Sequence, residues 1–355
     1  MKKIAYIEID THAEIAQSFM EIMQGGSLYS VDYYFSKRVK DEIVENGENI
    51  FLSDSSMILD QLKLKKYDLI IIGTVHRYFN TFSAITEKYK TTVIVHNINF
   101  ISLSNVTLLR SIFKKDIIYR LKLLWKEGLL DSSKIYRKAK SLLVLDEALS
   151  SEYLLFLPLF YTKYSDKPDN KALTIVIPGG VSQKRRDYKK VISAIKRTEH
   201  LYDQGDIRKK PIEFIFLGKA KDRELKHISD LKKSLKYVGI THFSERVSQK
   251  DFERWMQKAD VLWCPIQQES EFFSQKEIYG KTKMTGNMGD AIKFGKLAVF
   301  PKNYNSQLDF IIPEQHDLIQ QFEELKDLSF DFQKDYHKKT VREKLEIVLN
   351  RLIST

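Results

Sequence analysis

The feature that most constrains the fold of this chain is a regular alternation of apolar runs and amphipathic stretches, which occurs twice along its 355 residues. In the first half, "YDLIIIGTVHRYF" and "TTVIVHNINF" are continuous apolar runs that end in polar residues, as strands buried on both faces do. Further strand patterns are "KIAYIEID", "YSVDYYF" and "AKSLLVLDEAL". Because strands that alternate with helices indicate parallel β-α-β units, residues 1–165 are predicted to form an open α/β domain.

A polar linker, "YTKYSDKPDNKA", precedes a second series of the same kind. Its strand patterns are "LTIVIPGG", "IEFIFLG", "DVLWCPIQ" and "KLAVFPKN". We therefore predict a second doubly wound domain over residues 171–335, and a final amphipathic helix over 336–355 that packs back toward the first domain. The predicted fold class is α/β, with two Rossmann-like domains that face each other across a cleft, and the length suits two domains.

The composition excludes several classes of protein. Hydrophobic residues make up 43% of the chain, which is enough for real cores. The single cysteine, Cys264, excludes a disulfide framework and a cysteine-based zinc site, and its apolar surroundings predict an inert buried thiol. Glu8 and Asp10 interrupt the N-terminal run too early for a signal peptide, and no stretch approaches the ~20 apolar residues of a membrane span. We expect a cytoplasmic protein.

The net charge of +11 predicts an anionic partner. We expect no nucleic acid, because the sequence has no helix-turn-helix, aromatic sheet motif or zinc finger and its positive charge is spread along the chain. Residues 108–130 are predicted to form one helix with a basic stripe beside an apolar one. The basic stripe is Arg110, Lys114, Lys122 and Lys126, and the apolar one is Leu109, Phe113, Ile117, Leu121 and Trp125.

Two interpretations of this helix remain open. A basic stripe beside an aromatic and apolar one suits a helix that lies on anionic lipid. The same pattern suits an ordinary helix that covers a sheet and turns a basic face outward. The first interpretation predicts an anionic membrane surface as a partner, with peripheral attachment at the inner face of the plasma membrane.

Polar residues follow the predicted strands of the first domain, where ligands bind in open parallel sheets. Asp10, His12 and His96 are the candidate catalytic residues, because a histidine or a carboxylate can take the proton of an acceptor hydroxyl. The candidate acceptor-binding residues are His76, Arg77 and Asn97. Each histidine alone is more often a structural hydrogen-bonding group, but their shared position favours a role at the cleft.

In the second domain, the loop "IPGGVSQKRRDYKK" joins a strand to a helix. Its two glycines are followed by Ser182, Lys184, Arg185 and Arg186. Cations are unfavourable at a helix N-terminus, so three in a row there indicate a bound anion such as a diphosphate. The alternative is a tight strand-to-helix turn with a solvated basic first turn.

A second glycine-containing segment, "TGNMGDAIKFGK", contains a predicted helix over "DAIKF". Gly286 and Gly289 would let backbone amides approach a ligand, while Gly295 is explained as a helix stop. Asp290 would enter the first turn of the helix, where it either accepts hydrogen bonds from sugar hydroxyls or only complements the helix dipole.

Residues ~170 to 305 resemble the donor-binding domain of GT-B glycosyltransferases, and in particular the retaining group related to glycogen and sucrose-phosphate synthases (family 4-like). The resemblance is carried by "VIPGGVSQKRRDYKKVISAI", "FIFLGKAKDREL", "RVSQKDFERWMQKADVLWCPIQ" and "GDAIKFGKLAVFP", which stand in the family's order. It implies a glycosyltransferase that binds a nucleotide-sugar donor and a glycan or lipid-linked acceptor. It also implies retention of configuration and no metal or other cofactor.

The resemblance implies donor-binding roles for particular residues. It places the diphosphate at the loop from Gly179 to Arg186, with Lys184 and Arg185 as its charge partners, and the nucleotide base at Arg246 and Val247. The full set of candidate donor-binding residues is Gly179, Gly180, Ser182, Lys184, Arg185, Arg186, Gly218, Lys219, Arg246, Val247, Lys283, Thr285, Gly286, Asn287, Met288 and Asp290.

The sequence departs from the family pattern at one acidic position. Asp290 stands where the family has a glutamate that binds the ribose, but the earlier glutamate of the pair is replaced by Thr282. Glu277 is the nearest acid and is the fourth candidate catalytic residue. A catalytically inactive GT-B-like scaffold and a sugar-nucleotide epimerase of related fold therefore remain alternatives.

Overall fold

A computed structural model describes the chain over residues 1–45, 47–164, 166–204 and 211–354. The chain divides into two compact units. Unit 1 comprises Met1–Phe160, Glu271–Met284 and Lys338–Thr355, and unit 2 comprises Tyr161–Ser270 and Thr285–His337.

Unit 1 contains a sheet whose strands all pair in parallel. Within the described residues the sheet has seven strands, in the order β3-β2-β1-β4-β5-β6-β7. They are β1 (Lys2–Glu8), β2 (Tyr29–Phe35), β3 (Ile50–Leu52), β4 (Leu69–Ile72), β5 (Thr91–Ile94), β6 (Ser141–Val144) and β7 (Leu154–Phe156). The central strands are buried on both faces, as their continuous apolar runs predict. The strand order reverses between β1 and β4, which is where an open sheet of this kind binds ligands.

Helices cover the sheet of unit 1. They are α1 (Ala13–Met23), α2 (Lys37–Glu42), α3 (Ile58–Lys63), α4 (Phe79–Lys88), α5 (Ile98–Ile101), α6 (Asn105–Ile112), α7 (Ile117–Glu127), α8 (Ser132–Lys138) and α15 (Lys338–Ser354). The last of these, α15, packs against α1. Tyr29 donates from its hydroxyl to the carbonyl of Glu346 over 3.2 Å, and Arg342 donates to the carbonyl of Gln24 over 3.3 Å.

The single helix predicted over residues 108–130 is wrong, because the chain turns between α6 and α7. Asp116 adopts the left-handed conformation with φ of 50°. The guanidinium of Arg120 closes this corner, because it donates to the carbonyl of Ser111 and, over 2.8 Å, to the hydroxyl of Ser274. Among the residues that the structure describes, no helix is both long and apolar enough to cross a bilayer.

From Glu271 onward, unit 1 also includes most of a hairpin that the sequence analysis did not predict. Its strands are β12 (Glu269–Phe272) and β13 (Gln275–Ile278), and its turn places Phe273 and Ser274 at positive φ. The sequence analysis predicts that residues 271–284 belong to the second domain. They belong to unit 1 because the Phe273 side chain is buried in the core of unit 1, together with Phe100.

The sheet of unit 2 is also parallel throughout. In the described part of this unit its strand order is β10-β9-β8-β11-β14-β15. The strands are β8 (Leu173–Pro178), β9 (Ile212–Lys219), β10 (Val238–Phe243), β11 (Val261–Trp263), β14 (Ala298–Phe300) and β15 (Ile311–Pro313). The helices are α9 (Tyr188–Asp203), α10 (Asp222–Ser234), α11 (Gln249–Lys258), α12 (Gly286–Phe294), α13 (Leu318–Asp327) and α14 (Phe332–Tyr336). Cys264 is fully buried after β11, and burial raises the pKa of its thiol, as an inert thiol requires.

Candidate functional site

The loop after β8 contains glycines that are required for two different reasons. Gly179 has φ of 99°, and a Cβ there would lie 2.2 Å from Nη2 of Arg186. A Cβ on Gly218, in β9, would lie 2.2 Å from the carbonyl oxygen of Gly179. At Gly180, by contrast, a Cβ would meet nothing within 4 Å. Packing therefore explains Gly179 and Gly218, whereas Gly180 leaves the backbone open to the approach of a ligand.

Arg186 links this loop to the start of α12. Its guanidinium donates to the carbonyl of Gly180 over 3.3 Å and to Oδ1 of Asn287 over 3.1 Å. The side-chain amide of Asn287 in turn donates to the carbonyl of Pro178 over 3.3 Å. Among the described residues the buried Nε of Arg186 has no hydrogen-bond partner. The guanidinium of Arg186 thus joins the loop to α12 where the sequence predicts the diphosphate.

The structure holds the other cations of the loop differently. Lys184 and Arg185, which the sequence analysis favoured as the charge partners, are exposed. Helix α9 begins at Tyr188, so the three cations precede the helix and do not occupy its first turn. The amides of Arg185 and Arg186 donate to the carbonyl of Ser182 over 3.0 Å, which makes this stretch a turn. The expected clash of cations with the helix dipole is therefore absent, and Arg186 is the cation that contacts α12.

Helix α12 begins four residues earlier than predicted. Thr285 is its N-cap, and the Thr285 hydroxyl accepts from the amide of Asn287. A Cβ on Gly286, the first residue of the helix, would meet nothing within 4 Å. Asp290 is therefore outside the first turn, and its carboxylate accepts from the Asn287 side chain over 3.3 Å. Met288 and Gly289 are buried inside the helix, which Gly295 ends with φ of 58°.

Two further predicted donor contacts lie at other strand ends of unit 2. Lys219, at the end of β9, forms an ion pair of 2.8 Å with Glu245. Arg246 and Val247 lie between β10 and α11, with Arg246 exposed and Val247 half-buried. Their roles in holding the nucleotide stay predictions.

Unit 2 also contains a polar cavity of about 430 Å³ that includes none of the predicted donor-binding residues. Glu314 lies at its wall, accepting from Nε1 of Trp263 over 2.9 Å and pairing with Lys190. Asp187, which caps α9, forms another part of the wall.

In unit 1, a buried carboxylate that the sequence analysis did not select organises the loop after β1. Glu8 is 1% exposed. Its Oε2 accepts from the hydroxyl of Thr74 over 2.6 Å, and its Oε1 accepts from the amides of Asp10 and Thr11 over 3.1 and 3.2 Å. Burial raises the pKa of Glu8 to about 8, against the lowering effect of the Thr74 hydrogen bond. The sequence feature that could have identified Glu8 is its position as an acidic residue at the end of an apolar strand.

Three histidines follow β1, β4 and β5 and lie together. The rings of His12 and His96 stack with centroids 3.9 Å apart, and His76 lies 6.2 Å from His12 and 5.9 Å from His96. Nε2 of His96 is 2.9 Å from the carbonyl of Gly73, which can only accept, so we assign the proton to Nε2. Burial lowers the pKa of His96, and it lowers the pKa of His76 to about 3. Both rings are therefore neutral near pH 7.

His12 differs from the other two histidines because acidic groups surround it. Its Nδ1 lies 2.9 Å from Oε1 of Glu14. Burial lowers the pKa of His12, but the hydrogen bond and charge of Glu14, with Glu8 and Asp10, outweigh burial, so the net pKa is raised. Burial also raises the pKa of Asp10, against the charge of Arg77. A histidine oriented by a carboxylate has the arrangement of a general base.

The two remaining predicted acceptor-binding residues are held by buried carboxylates. Glu127 accepts from Arg77 over 3.0 Å and from the amide of Tyr78 over 3.1 Å. The amide of Asn97 donates to Oε1 of Glu277 over 2.9 Å. Arg77 and Asn97 therefore have fixed positions beside the histidine cluster.

Glu277, predicted to be catalytic, lies in unit 1 and is 2% exposed. Its second oxygen pairs with Nζ of Lys283 over 3.1 Å. Lys283, which is predicted to bind the donor, also lies in unit 1. The carbonyl of Thr282 accepts from the amide of Ile98 over 2.9 Å. These contacts attach the hairpin to the β5–α5 connection, and the catalytic role of Glu277 stays a prediction. In the described ranges, His, Cys, Asp and Glu side chains form no group that could hold a metal ion.

Comparison with known proteins identifies the fold. No protein-family model matches the chain, and no curated protein matches it. Among solved structures, the UDP-GlcNAc 2-epimerase from Neisseria meningitidis bound to UDP-GlcNAc matches with a TM-score of 0.54 and 12% identity, over 100% of both chains. The lipopolysaccharide outer core galactosyltransferase WaaB, in its apo form, matches with a TM-score of 0.54 and 11% identity, over 98% of this chain and 99% of WaaB.

TarM also matches, with a TM-score of 0.49 and 13% identity over 86% of this chain, which spans 59% of the TarM chain. At identities this low, likeness between structures establishes a fold and no activity. The predicted fold class is confirmed, while membership of the family 4-like group stays a prediction. The chain has the GT-B fold, with two Rossmann-like α/β units.

Proposed function

We propose that the protein is a glycosyltransferase that moves a sugar from a nucleotide-sugar donor to a glycan or lipid-linked acceptor, in the synthesis of a bacterial-type surface polysaccharide or glycoconjugate. One observation carries the proposal: Gly180, Gly286 and Arg186 converge around the end of β8. Strand β8 lies beside β11 at the point where the strand order of unit 2 reverses, which is the ligand-binding position of such sheets.

The donor chemistry follows from these groups. In the transfer, the bond between the anomeric carbon and the diphosphate oxygen breaks while that carbon bonds to the acceptor oxygen, and negative charge collects on the diphosphate. Backbone amides at the start of α12 and the guanidinium of Arg186 stabilise that charge without changing their own protonation. Neither group requires a metal ion, in agreement with the metal-free mechanism that the family resemblance implies.

Unit 1 provides the acceptor side of the proposed reaction. His12 orients the acceptor hydroxyl and takes up its proton, while Arg77 and Asn97 bind other polar groups of the acceptor. The proposal follows the resemblance in assigning retention of configuration at the transferred carbon. Nuclear magnetic resonance of the product tests this part, because an inverted anomeric centre would contradict it.

A binding experiment tests the donor site. Purified protein is screened by thermal shift against UDP-, GDP-, ADP- and CMP-linked sugars, and we expect one nucleotide family to raise the melting temperature. Arg186→Gln should weaken binding of that nucleotide sugar by about tenfold or more, because it removes a charge-assisted contact to the phosphates. The matched control is Arg197→Gln, an exposed arginine of α9 outside the candidate donor-binding set, which should bind like wild type. Equal losses in both variants would contradict the assignment of Arg186.

The main alternative is a sugar-nucleotide epimerase, which the likeness to the UDP-GlcNAc 2-epimerase favours. An epimerase changes its nucleotide-sugar substrate without an acceptor, whereas a glycosyltransferase releases nucleotide in proportion to acceptor glycosylation. Incubating the stabilising nucleotide sugar without an acceptor separates the two. Binding without turnover under either condition would leave the catalytically inactive scaffold.

A further inference from the structure

The corner formed by α6 and α7, residues 105–127, exposes an unusual set of large apolar side chains. They are Val106, Leu109, Phe113, Ile117, Ile118, Tyr119 and Trp125. Phe113 is 72% exposed, Ile118 is 87% exposed and Trp125 is 76% exposed. Single exposed apolar residues are ordinary on a protein surface, whereas a group of seven on two consecutive helices and their connection indicates a binding surface.

The exposure of these apolar residues does not result from poor packing of the two helices against unit 1. Leu108 and Ile112 of α6, and Leu123 of α7, are buried in the interior of unit 1. Arg120 and Glu127 are also directed inward and are hydrogen-bonded there. Each helix therefore has a complete inner face, and its outer face repeats apolar residues at helical spacing, as Val106, Leu109 and Phe113 do.

Cations are interspersed with these apolar side chains. The exposed charged residues of the corner are Arg110, Lys114, Lys115, Lys122, Lys126 and Asp116, which makes five cations against one carboxylate. Lys115 pairs with Glu271 over 3.0 Å at the edge of the corner. Lys122 and Lys126 flank Trp125 in the sequence of α7 and are exposed with it.

We propose that the α6–α7 corner docks on an anionic lipid bilayer. Lipid headgroups are complementary to the five cations, and the boundary between headgroups and acyl chains accommodates Phe113, Ile118 and Trp125 while the lysine ammonium groups stay hydrated. The corner, with two short helices and their connection, replaces the single flat helix that the sequence predicts. This inference stands on the surface alone and does not depend on the proposed sugar transfer.

Vesicle co-sedimentation of the full chain tests the proposal. Wild type should bind vesicles that contain phosphatidylglycerol and should not bind pure phosphatidylcholine vesicles. Raising the salt from about 0.1 M to about 1 M should release the protein, because the screening length falls from about 10 Å to about 3 Å. The charge variant Lys114→Gln/Lys122→Gln/Lys126→Gln should bind on the order of a hundredfold more weakly. Its control is Lys66→Gln/Lys171→Gln/Lys226→Gln, which removes three exposed lysines elsewhere and should bind no more than a few-fold more weakly.

The apolar contribution has its own variant. Phe113→Ser/Ile118→Ser/Trp125→Ser should lose binding by about tenfold or more, since it removes the side chains that enter the bilayer. Leu64→Ser/Tyr153→Ser/Ile347→Ser is the matched control, because those residues are 82%, 79% and 70% exposed outside the corner. All variants should keep the wild-type response to nucleotide sugar, so a failure of the donor site is separable from a failure of docking.

Three results would overturn the proposal. One is wild type that does not bind anionic vesicles, and another is equal binding by the corner variants and their controls. The third is a wild-type dimer in sedimentation velocity that the Phe113→Ser/Ile118→Ser/Trp125→Ser variant abolishes, which would assign the corner to a second copy of the chain.

Discussion

The carboxyl ends of the strands in the two units present different chemical groups. In unit 1 they gather titratable side chains, with Glu8 buried and bound to Thr74 and with His12 stacked on His96. In unit 2 they present glycines, the N-terminus of α12 and the guanidinium of Arg186. Burial is the main cause of the pKa shifts of Glu8 and His96, and acidic neighbours outweigh burial at His12, whereas the second set donates hydrogen bonds. Under the proposed function, the same kind of sheet serves proton exchange in one unit and anion binding in the other.

Among the tests of this division between the units, the largest expected effect is the loss of turnover on replacing His12. Replacing His12 with Asn should lower turnover with donor and acceptor by about a hundredfold or more, the usual contribution of a general base, and leave nucleotide-sugar binding unchanged. The pH dependence has a defined sign. A base acts when neutral, and the net pKa of His12 is raised above 6.5, so kcat/KM of wild type should rise with pH through a value above 6.5.

The control for this prediction is His227→Asn, which changes an exposed histidine on α10 of unit 2. It should keep both the turnover and the pH profile of wild type. If the pH profile persisted in His12→Asn, the base would have to be another group, and the assignment of proton exchange to His12 would be wrong.

Glycine substitutions sharpen the comparison at an intermediate scale. Gly286→Ala adds a methyl group to open space at the first residue of a helix, so the free protein should keep its melting temperature while nucleotide-sugar affinity falls by about tenfold. Gly179→Ala should instead destabilise the free protein by about 1–3 kcal/mol, because φ is 99° and Arg186 lies 2.2 Å from the added Cβ. Thermal melts with and without nucleotide sugar distinguish the two. Equal destabilisation by both would remove the argument for ligand approach at Gly286.

The smallest effect concerns Glu8 and appears as a pH dependence of stability. The pKa of Glu8 is about 8 in the folded protein against 4.5 for a glutamate in water, so the folded state binds this proton more tightly. Stability linked to Glu8 is therefore fully present below 4.5 and is lost as the pH rises toward about 8. Glu8→Gln stays uncharged at every pH. The melting temperature of this variant, relative to that of wild type, should therefore rise by several degrees as the pH increases from 4.5 to about 8. A constant difference between the two proteins would contradict the buried, protonated carboxyl.

Much of the architecture could be predicted because long apolar runs and helical periodicity are local signals. The runs that form β4, β5 and β8 are buried throughout, and each strand pattern quoted from the sequence forms a strand, whereas the short strands β3, β7, β10 and β15 were not predicted. Short polar elements gave no such signal. The β12–β13 hairpin is polar except for Phe272, Phe273 and Ile278, and what places it in unit 1 is the packing of Phe273, which no local pattern encodes.

The candidate site shows the same limit. The glycines and histidines at strand ends could be selected by residue type and position alone. Which cation contacts α12 depends on how the chain turns after β8, so Arg186 could not be distinguished from Lys184 or Arg185. Glu8 was not selected because an acid in a strand is usually exposed, and only the contacts with Thr74 and the following amides show its position.

The return of residues 271–284 to unit 1 has a practical consequence for dissecting the protein. The chain passes from one unit to the other at Phe160, Ser270, Met284 and His337, so neither unit is one continuous stretch. A fragment cut at the linker would carry the hairpin of unit 1 on an isolated unit 2, with Phe273 and Glu277 deprived of their surroundings. Truncation libraries and domain exchanges should therefore replace the hairpin with a short loop, or keep the polypeptide whole.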